Sequence, residues 1–514
     1  MDNLIVPKYQ AHDFVLKGAE GGNPFLVEVS ARFTHESGEV LAGLPGFYNG
    51  EGEWVIRFSP GSTGLWRGVT SSEVDELNGI ELGPLHCVEN TNPAVHGKLM
   101  IDSRHPHRFR FEDGAQAIPL GFEWDWMFAQ HQEKPEEFRE MIDLLAARGF
   151  NYIVTNVYAH SGFSDPNLAW VYSPPQRFVF GGSNEAPDHS RLNVDFFKDY
   201  DAALAYAHSK GMLVHLMIQV QNKKVNWPAR KSAEDDLYWR YVVARYQAYR
   251  NIVWDVSKEC FYLLTPAGEC DYILDRIRLI RQTDGYRHLV TAHDTALHSE
   301  AQDSPADGAC DFVSDQIHLR DIALYNHEAI RRFRAGRKPY LNIEYGYEWG
   351  VEALPTYKIA QSWQELLLWT WALYLGGAYP CYYYSNTSWD LVKYRPEAPG
   401  WPRYRYLMDF LSRLDFNALT PDNEFVEQGY CMAEAGKQYL IFLPDGGDTL
   451  VDLTAVLAGT ALECEWLDIY SGERKTTPLE ERSFRVELKN PFADSSQPVA
   501  IAIRARAVGE EGLK

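Results

Sequence analysis

Two glutamates carry the chemistry for which this sequence is best equipped. Glu259 ends the run Ile252-Val253-Trp254-Asp255-Val256-Ser257-Lys258-Glu259, and Glu344 stands in Tyr340-Leu341-Asn342-Ile343-Glu344-Tyr345-Gly346. Each follows a stretch of β-branched and aromatic residues that reads as a buried strand. Hydrolysis of a glycosidic bond with retention needs a carboxylic acid to protonate the leaving oxygen. It also needs a carboxylate, about 5 to 5.5 Å away, to attack the anomeric carbon. Two strand-end glutamates facing each other across a barrel mouth would meet that need. Glu123 and Glu348 could be selected by the same logic, but Glu348 lies past the strand in Tyr347-Glu348-Trp349.

Such a pair has to be held by a scaffold, and the pattern from about residue 118 supplies one. Strand-like segments at 118–122, 152–157, 212–218, 252–256, 288–292, 312–317, 339–343 and 379–384 alternate with helical ones at 135–148, 194–210, 233–249, 272–281, 326–335 and 356–375. Eight strands with helical crossovers predict parallel pairing and a closed (β/α)8 TIM barrel, whose function sits where the strands end. Long connections at 159–191 and 385–404 fall on that face, where barrels keep specificity. Residues 10 to about 80 alternate at period two between Gly/Pro/Asn turns, which predicts an immunoglobulin-like β-sandwich. Residues 420–505 return to a β pattern and predict a small carboxy-terminal sandwich. The expected domains are 1–105, 106–415 and 416–514.

Further residues at the strand ends would line the mouth. Trp124, Asp125 and Trp126 follow the first strand, and Asn156 and Tyr158 end the second. Lys258 precedes Glu259. His293 and Asp294 end the fifth strand, Gln316 and His318 the sixth. Trp349 lies beyond the seventh, while Tyr384, Asn386 and Trp389 come at or after the end of the eighth. Sugars are bound by this mixture of flat rings and short polar groups.

Composition narrows the alternatives. A net charge of −22 with no Lys/Arg-rich block excludes nucleic acid as a natural partner. Aromatic content of 14%, with 15 Trp and 30 Tyr, leans towards carbohydrate. The 7 cysteines are odd in number and scattered, without a Cys-x-x-Cys pair. That pattern fits a reducing, cytoplasmic location better than a disulfide framework or a zinc site. No signal-like or membrane-spanning run is evident. His105-Pro106-His107 reads as a strand-turn element, since no third ligand lies near it, and Cys260 as a small buried thiol. No phosphate-cradling or dinucleotide loop is present, so no cofactor and no metal are expected. A homo-oligomer remains compatible with the sequence.

With these residues in view, the chain resembles clan A glycoside hydrolases, which place the acid/base after strand four and the nucleophile after strand seven. More narrowly, it resembles bacterial apiosidase-type barrel hydrolases with an immunoglobulin-like domain in front and a β domain behind. Glu465-Trp466-Leu467-Asp468-Ile469-Tyr470-Ser471-Gly472-Glu473 is similar to the Trp-x-Asp-x-x-x-Gly run of that trailing domain. The resemblance implies a cofactor-free glycosidase acting on an oligosaccharide or glycoside, with Glu259 as acid/base and Glu344 as nucleophile. The sequence departs from the clan at Lys258, where members usually carry an Asn that contacts the sugar. A lysine there implies an acidic or differently oriented sugar, or a pairing with a neighbouring carboxylate. Two other readings stay open: an inverting glycosidase pairing Asp125 or Asp294 with Glu259, and a non-catalytic glycan-binding protein.

Overall fold

The computed structural model describes residues 4–162, 171–293, 308–350, 360–388, 390–457, 460–479 and 484–505. Its centre is a barrel of eight parallel strands. They are β1 (Gly121–Glu123), β2 (Tyr152–Asn156), β3 (Leu213–Val220), β4 (Ile252–Lys258), β5 (Val290–Thr291), β6 (Val313–Gln316), β7 (Tyr340–Glu344) and β8 (Tyr379–Tyr384). The ladder runs β5-β4-β3-β2-β1-β8-β7-β6. At the β5/β6 seam, Asp311 N donates to Val290 O at 2.8 Å and Thr291 Oγ1 donates to Phe312 O at 2.9 Å. These bonds close the ring. Every residue of β2, β3, β4, β7 and β8 is buried, as expected of strands covered by helices outside and packed side chains within.

The sequence pattern locates these elements to within a few residues, with three informative differences. The first strand begins at Gly121 rather than at 118, because Leu120 N is taken by the Asn151 side chain. The fifth keeps only two ladder residues, Val290 and Thr291. The helix expected at 356–375 spans Trp363–Leu375, and the first residues of the expected range, 356–359, lie outside the described residues. A capping box sets its start: Ser362 accepts from Glu365 N while the Glu365 carboxylate accepts from Ser362 N.

The amino-terminal unit is an immunoglobulin-like sandwich. Five strands, in the order Leu4–Pro7, Glu81–Val88, Gly64–Ser72, Val29–His35, Val40–Pro45, face three, in the order His12–Lys17, Glu53–Phe58, Phe47–Gly50. Phe33 and Phe58 stack at 3.9 Å in its core. Arg57 projects from it into the barrel's helical shell, bonded to Asp13 within the sandwich and to Asp201 on the helix Val194–Ser209. A three-stranded sheet (Leu99–Ile101, Phe109–Phe111, Gln116–Ala117) plugs the barrel floor, with Phe109 against Tyr379 and Phe312.

The carboxy-terminal sandwich has a six-stranded sheet and a two-stranded one. It docks on the helix Trp363–Leu375, where Trp371 stacks on Phe442 at 5.5 Å. The Trp-x-Asp-x-x-x-Gly run builds the turn between Leu462–Asp468 and Arg474–Pro478. Asp468 Oδ1 accepts from Tyr470 N and Ser471 N, and Gly472 takes the left-handed φ of 78° that lets the chain reverse. Tyr470 then packs on Trp363 at 5.1 Å. The run therefore works as a docking turn. Among the described residues no helix is long and apolar enough to cross a membrane.

Candidate active site

The carboxyl ends of the strands converge on a buried group of charges. Glu123 and Asp125, two residues apart at the end of β1, both meet Lys258 at the end of β4. Lys258 Nζ lies 2.9 Å from Glu123 Oε1 and 3.0 and 2.8 Å from the two oxygens of Asp125. All three side chains are buried. Asn156 Nδ2 donates to Asp125 Oδ1 at 3.0 Å, and Lys223 Nζ stands 3.8 Å from Asp125 Oδ2. Burial alone would raise the carboxyl of Asp125, yet Lys258 and Lys223 bring it down to about 2. Glu123 moves the other way, well above its ordinary range, through burial and the adjacent charge of Asp125. One proton on Glu123 and a charge on Asp125 satisfy Lys258 without crowding two anions into a dry space.

Glu344 completes this group from the opposite wall. Tyr347 OH donates to its Oε1 at 2.7 Å, and His318 Nε2 lies 3.3 Å from the same oxygen. Burial works against its charge, but His318, Lys258 and the Tyr347 hydroxyl together take its pKa to about 2. Glu259 is placed differently. It adopts a left-handed backbone, φ 50° and ψ 58°, as β4 turns into the short 3-10 helix Cys260–Leu263. Its Oε2 accepts from Asn222 Nδ2 at 2.5 Å. Burial, then the charge of Glu344, raises its pKa, against the pull of Lys258 and Lys223. One carboxyl is thus held ionised and the other disposed to keep a proton.

The remaining sequence-derived residues divide by the direction of their side chains. His293 is buried beside Asp255 and close to Glu344, and burial takes its imidazole down to about 4, so it is neutral. Gln316 Nε2 lies 3.2 Å from His318 Nε2. Trp126 has Lys223 Nζ 5.5 Å from its ring centre. Asn386 is fully buried and neither end of its amide has a hydrogen-bond partner; Gly350 abuts it so closely that a Cβ there would collide with Asn386 Oδ1. Trp349 is 49% exposed on the rim.

Three rings face the helical layer instead. Trp124 packs on Phe138 at 5.4 Å, Tyr158 among Phe128, Phe178 and Phe196, and Tyr384 on Trp401 at 5.6 Å. Asp294 and Trp389 lie outside the described residues. Away from the mouth, His107 stacks on Phe333 at 4.1 Å. Among the described residues no group of His, Cys, Asp and Glu is arranged to hold a metal ion.

Sequence reasoning missed Asn222, Lys223, Tyr347 and Tyr383 as members of this site. Tyr383 is the last but one residue of β8, just before Tyr384, and its ring centre lies 5.9 Å from Lys258 Nζ. Alternation along a strand separates the two tyrosines, inward and outward. The same alternation pairs Glu123 with Asp125 and turns Trp124 away. For Asn222 and Lys223, on the connection after β3, no signal in the sequence would have served.

Comparison with known proteins follows this geometry. The model of the apiosidase-like catalytic domain family matches residues 107–407, and a domain of unknown function, DUF5060, matches residues 5–73. A solved structure described provisionally as a glycoside hydrolase, from Bacteroides vulgatus, aligns with a TM-score of 0.76 at 20% identity, covering 98% of this chain and 100% of its own. A second from that organism, a glycoside hydrolase of family 5, aligns with a TM-score of 0.59 at 15% identity, covering 80% of this chain and 93% of its own. No curated protein matches the chain.

Proposed function

The chain belongs to the apiosidase-like catalytic domain family and is a glycosidase, and from that premise we propose that it cleaves oligosaccharides or glycosides with retention of anomeric configuration. In this reading Glu344 attacks the anomeric carbon while Glu259 delivers a proton to the departing oxygen. Glu259 then takes a proton from water as the glycosyl-enzyme is released.

The observation that carries the reading is the contrast between two glutamates at the ends of β4 and β7. Tyr347, His318 and Lys258 hold Glu344 as an anion, whereas burial and the charge of Glu344 favour a proton on Glu259. A nucleophile needs the first state and a general acid the second. Asp125 does not suit the base of an inverting pair, because Lys258 and Asn156 occupy its oxygens.

Asn386, whose amide has no hydrogen-bond partner among the described residues, and Trp126, buried beside Lys223, are the residues we assign to sugar contact. We keep the division 1–105, 106–415 and 416–514, although the floor sheet of strands between residues 99 and 117 bridges its first boundary. The burial of all seven cysteines, together with their scattered spacing, supports a reducing compartment.

The test is turnover of a panel of aryl glycosides and oligosaccharides by the wild type and Glu344→Gln, with the anomer first released followed by NMR. We expect the substitution to lower kcat/KM by about a thousand-fold or more, as for loss of a covalent catalyst, and the first product to keep its configuration. An inverted product, or turnover that survives the substitution, would overturn the assignment.

A further inference from the structure

Among the described residues Glu259 is bonded through one oxygen only, and the donor comes from outside its own strand. Asn222 Nδ2 sits 2.5 Å from Glu259 Oε2 on the connection that follows β3. An amide N–H can only donate, so Oε2 is the oxygen that accepts. A proton on Glu259 is then favoured on Oε1, the oxygen that does not face this donor. The backbone reinforces this arrangement. Glu259 is in the left-handed region, at φ 50°, which for a residue with a side chain persists only where surrounding structure holds it. Cys260 N donates to His293 O, and Tyr262 N donates back to Glu259 O. Arg230 bonds the carbonyls of Tyr262 and Leu263. The carbonyl oxygen of Asn222 is itself buried and, among the described residues, has no hydrogen-bond partner, which leaves an unsatisfied acceptor beside the acid.

We propose that Asn222 is the positioning residue of the acid/base: it fixes the proton of Glu259 on Oε1 and offers its own Oδ1 to a hydroxyl of the leaving group. The inference rests on the assignment of Glu259 made above. It follows that the connection after β3 takes part in proton transfer and in selecting the leaving group, while Lys258, next to Glu259 in sequence, is committed to Glu123 and Asp125.

The consequences can be separated from mere loss of packing. Donation from Asn222 stabilises the carboxylate of Glu259, so its removal raises the pKa of that group. In Asn222→Ala the alkaline limb of kcat/KM should move up by about one pH unit or less. Asn222→Asp, which sets a second carboxylate against the first, should move it further in the same direction. A misplaced proton matters only where the leaving group needs one. Glycosides of weakly acidic alcohols should therefore lose about 10- to 100-fold in kcat/KM. Glycosides of dinitrophenol should lose less than about three-fold, since their leaving group departs without general-acid assistance.

The experiment measures pH profiles and leaving-group dependence for wild type, Asn222→Ala, Asn222→Asp and Glu259→Gln, with thermal unfolding as the check on folding. Should Glu259→Gln lose activity equally on both classes of glycoside, the assignment of Glu259 itself fails. If Glu259→Gln discriminates between the classes and folded Asn222→Ala does not, or its alkaline limb stays in place, the role of Asn222 is refuted. A folded Asn222→Ala that discriminates, with a displaced limb, establishes it.

Discussion

Glu348 offers a test that does not depend on turnover. It is 1% exposed, just beyond β7, and its carboxyl is held by neutral donors: Tyr382 OH donates to Oε2 at 2.7 Å and Gly400 N donates to Oε1 at 2.9 Å. Trp401 Nε1 in turn donates to the Tyr382 oxygen at 2.9 Å. Burial pushes the Glu348 carboxyl up to about 7, because these bonds recover only part of the lost hydration. Unfolded, the same group titrates near 4.5. Below that pH it is neutral in both states and contributes no pH dependence. Between 4.5 and 7 the unfolded chain releases its proton while the fold keeps it, so stability falls as pH rises. Above about 7 both states are ionised, and the cost is fully developed at about 3 kcal/mol. Glu348→Gln keeps the shape and cannot ionise. Thermal unfolding of the two proteins from pH 4 to 9 should give curves that run together at the acid end. The wild type should then fall behind the variant by several degrees by about pH 8. Glu123 and Glu259 titrate in both proteins and cancel in the difference. A gap that does not change with pH would refute the burial argument, and a gap of opposite slope would mean that Glu348 is an ion-paired anion.

Three further substitutions probe the mouth. Lys258→Met removes the ammonium bonded to Asp125, leaving the more distant Lys223, and should destabilise the fold by about 3 kcal/mol, measured by denaturant unfolding. Adding Asp125→Asn should return part of that loss, because the two substitutions share one network; strictly additive effects would mean that the pair is not coupled. Gly350→Ala should force Asn386 to move and lower kcat/KM by about 10-fold or more, while thermal unfolding changes little, since Gly350 is part-exposed. Unchanged kinetics would remove Asn386 from the substrate contacts.

The barrel was legible because burial on both faces leaves strands as continuous apolar runs, and because glycines such as Gly149 and Gly211, at φ 93° and 72°, mark where helices stop. Less legible were elements defined by side-chain bonds to the backbone. The helix before β8 begins at Trp363 because Ser362 and Glu365 cap each other. That Ser-x-x-Glu spacing was present in the sequence, but the apolar run around it drew the expected boundary too early. At the site, strand-end position put forward Glu259 and Glu344 as candidates but not the facing of each neighbour. Trp124 and Tyr384 stand one residue from inward-facing positions and pack against Phe138 and Trp401. Alternation carries that information and settles it once one inward residue is known. Asn222 and Lys223 come from a connection whose path depends on tertiary packing, so no local pattern encodes them.

Two glutamates in one cleft can keep different protonation states because their neighbours differ, although Lys258 lowers the pKa of both. Carboxylates near each other tend to share a proton, and which one keeps it depends on asymmetry in the surroundings. Glu344 receives a hydroxyl from Tyr347, the nearby imidazole of His318 and the field of Lys258. Glu259 receives one amide N–H. Lys258 contributes this field from a site where it cannot swing towards either glutamate, since Glu123 and Asp125 hold its ammonium. Had it been free to move, it would pair directly with Glu259 and strip the acid of its proton. Glu123, by keeping its own proton, limits the opposing negative charge to Asp125 alone, so the positive field of Lys258 and Lys223 is not cancelled at Glu344. Replacing Lys258, the residue that departs most from the expected clan pattern, should therefore raise the pKa of both proposed catalytic groups and lower the stability of the fold.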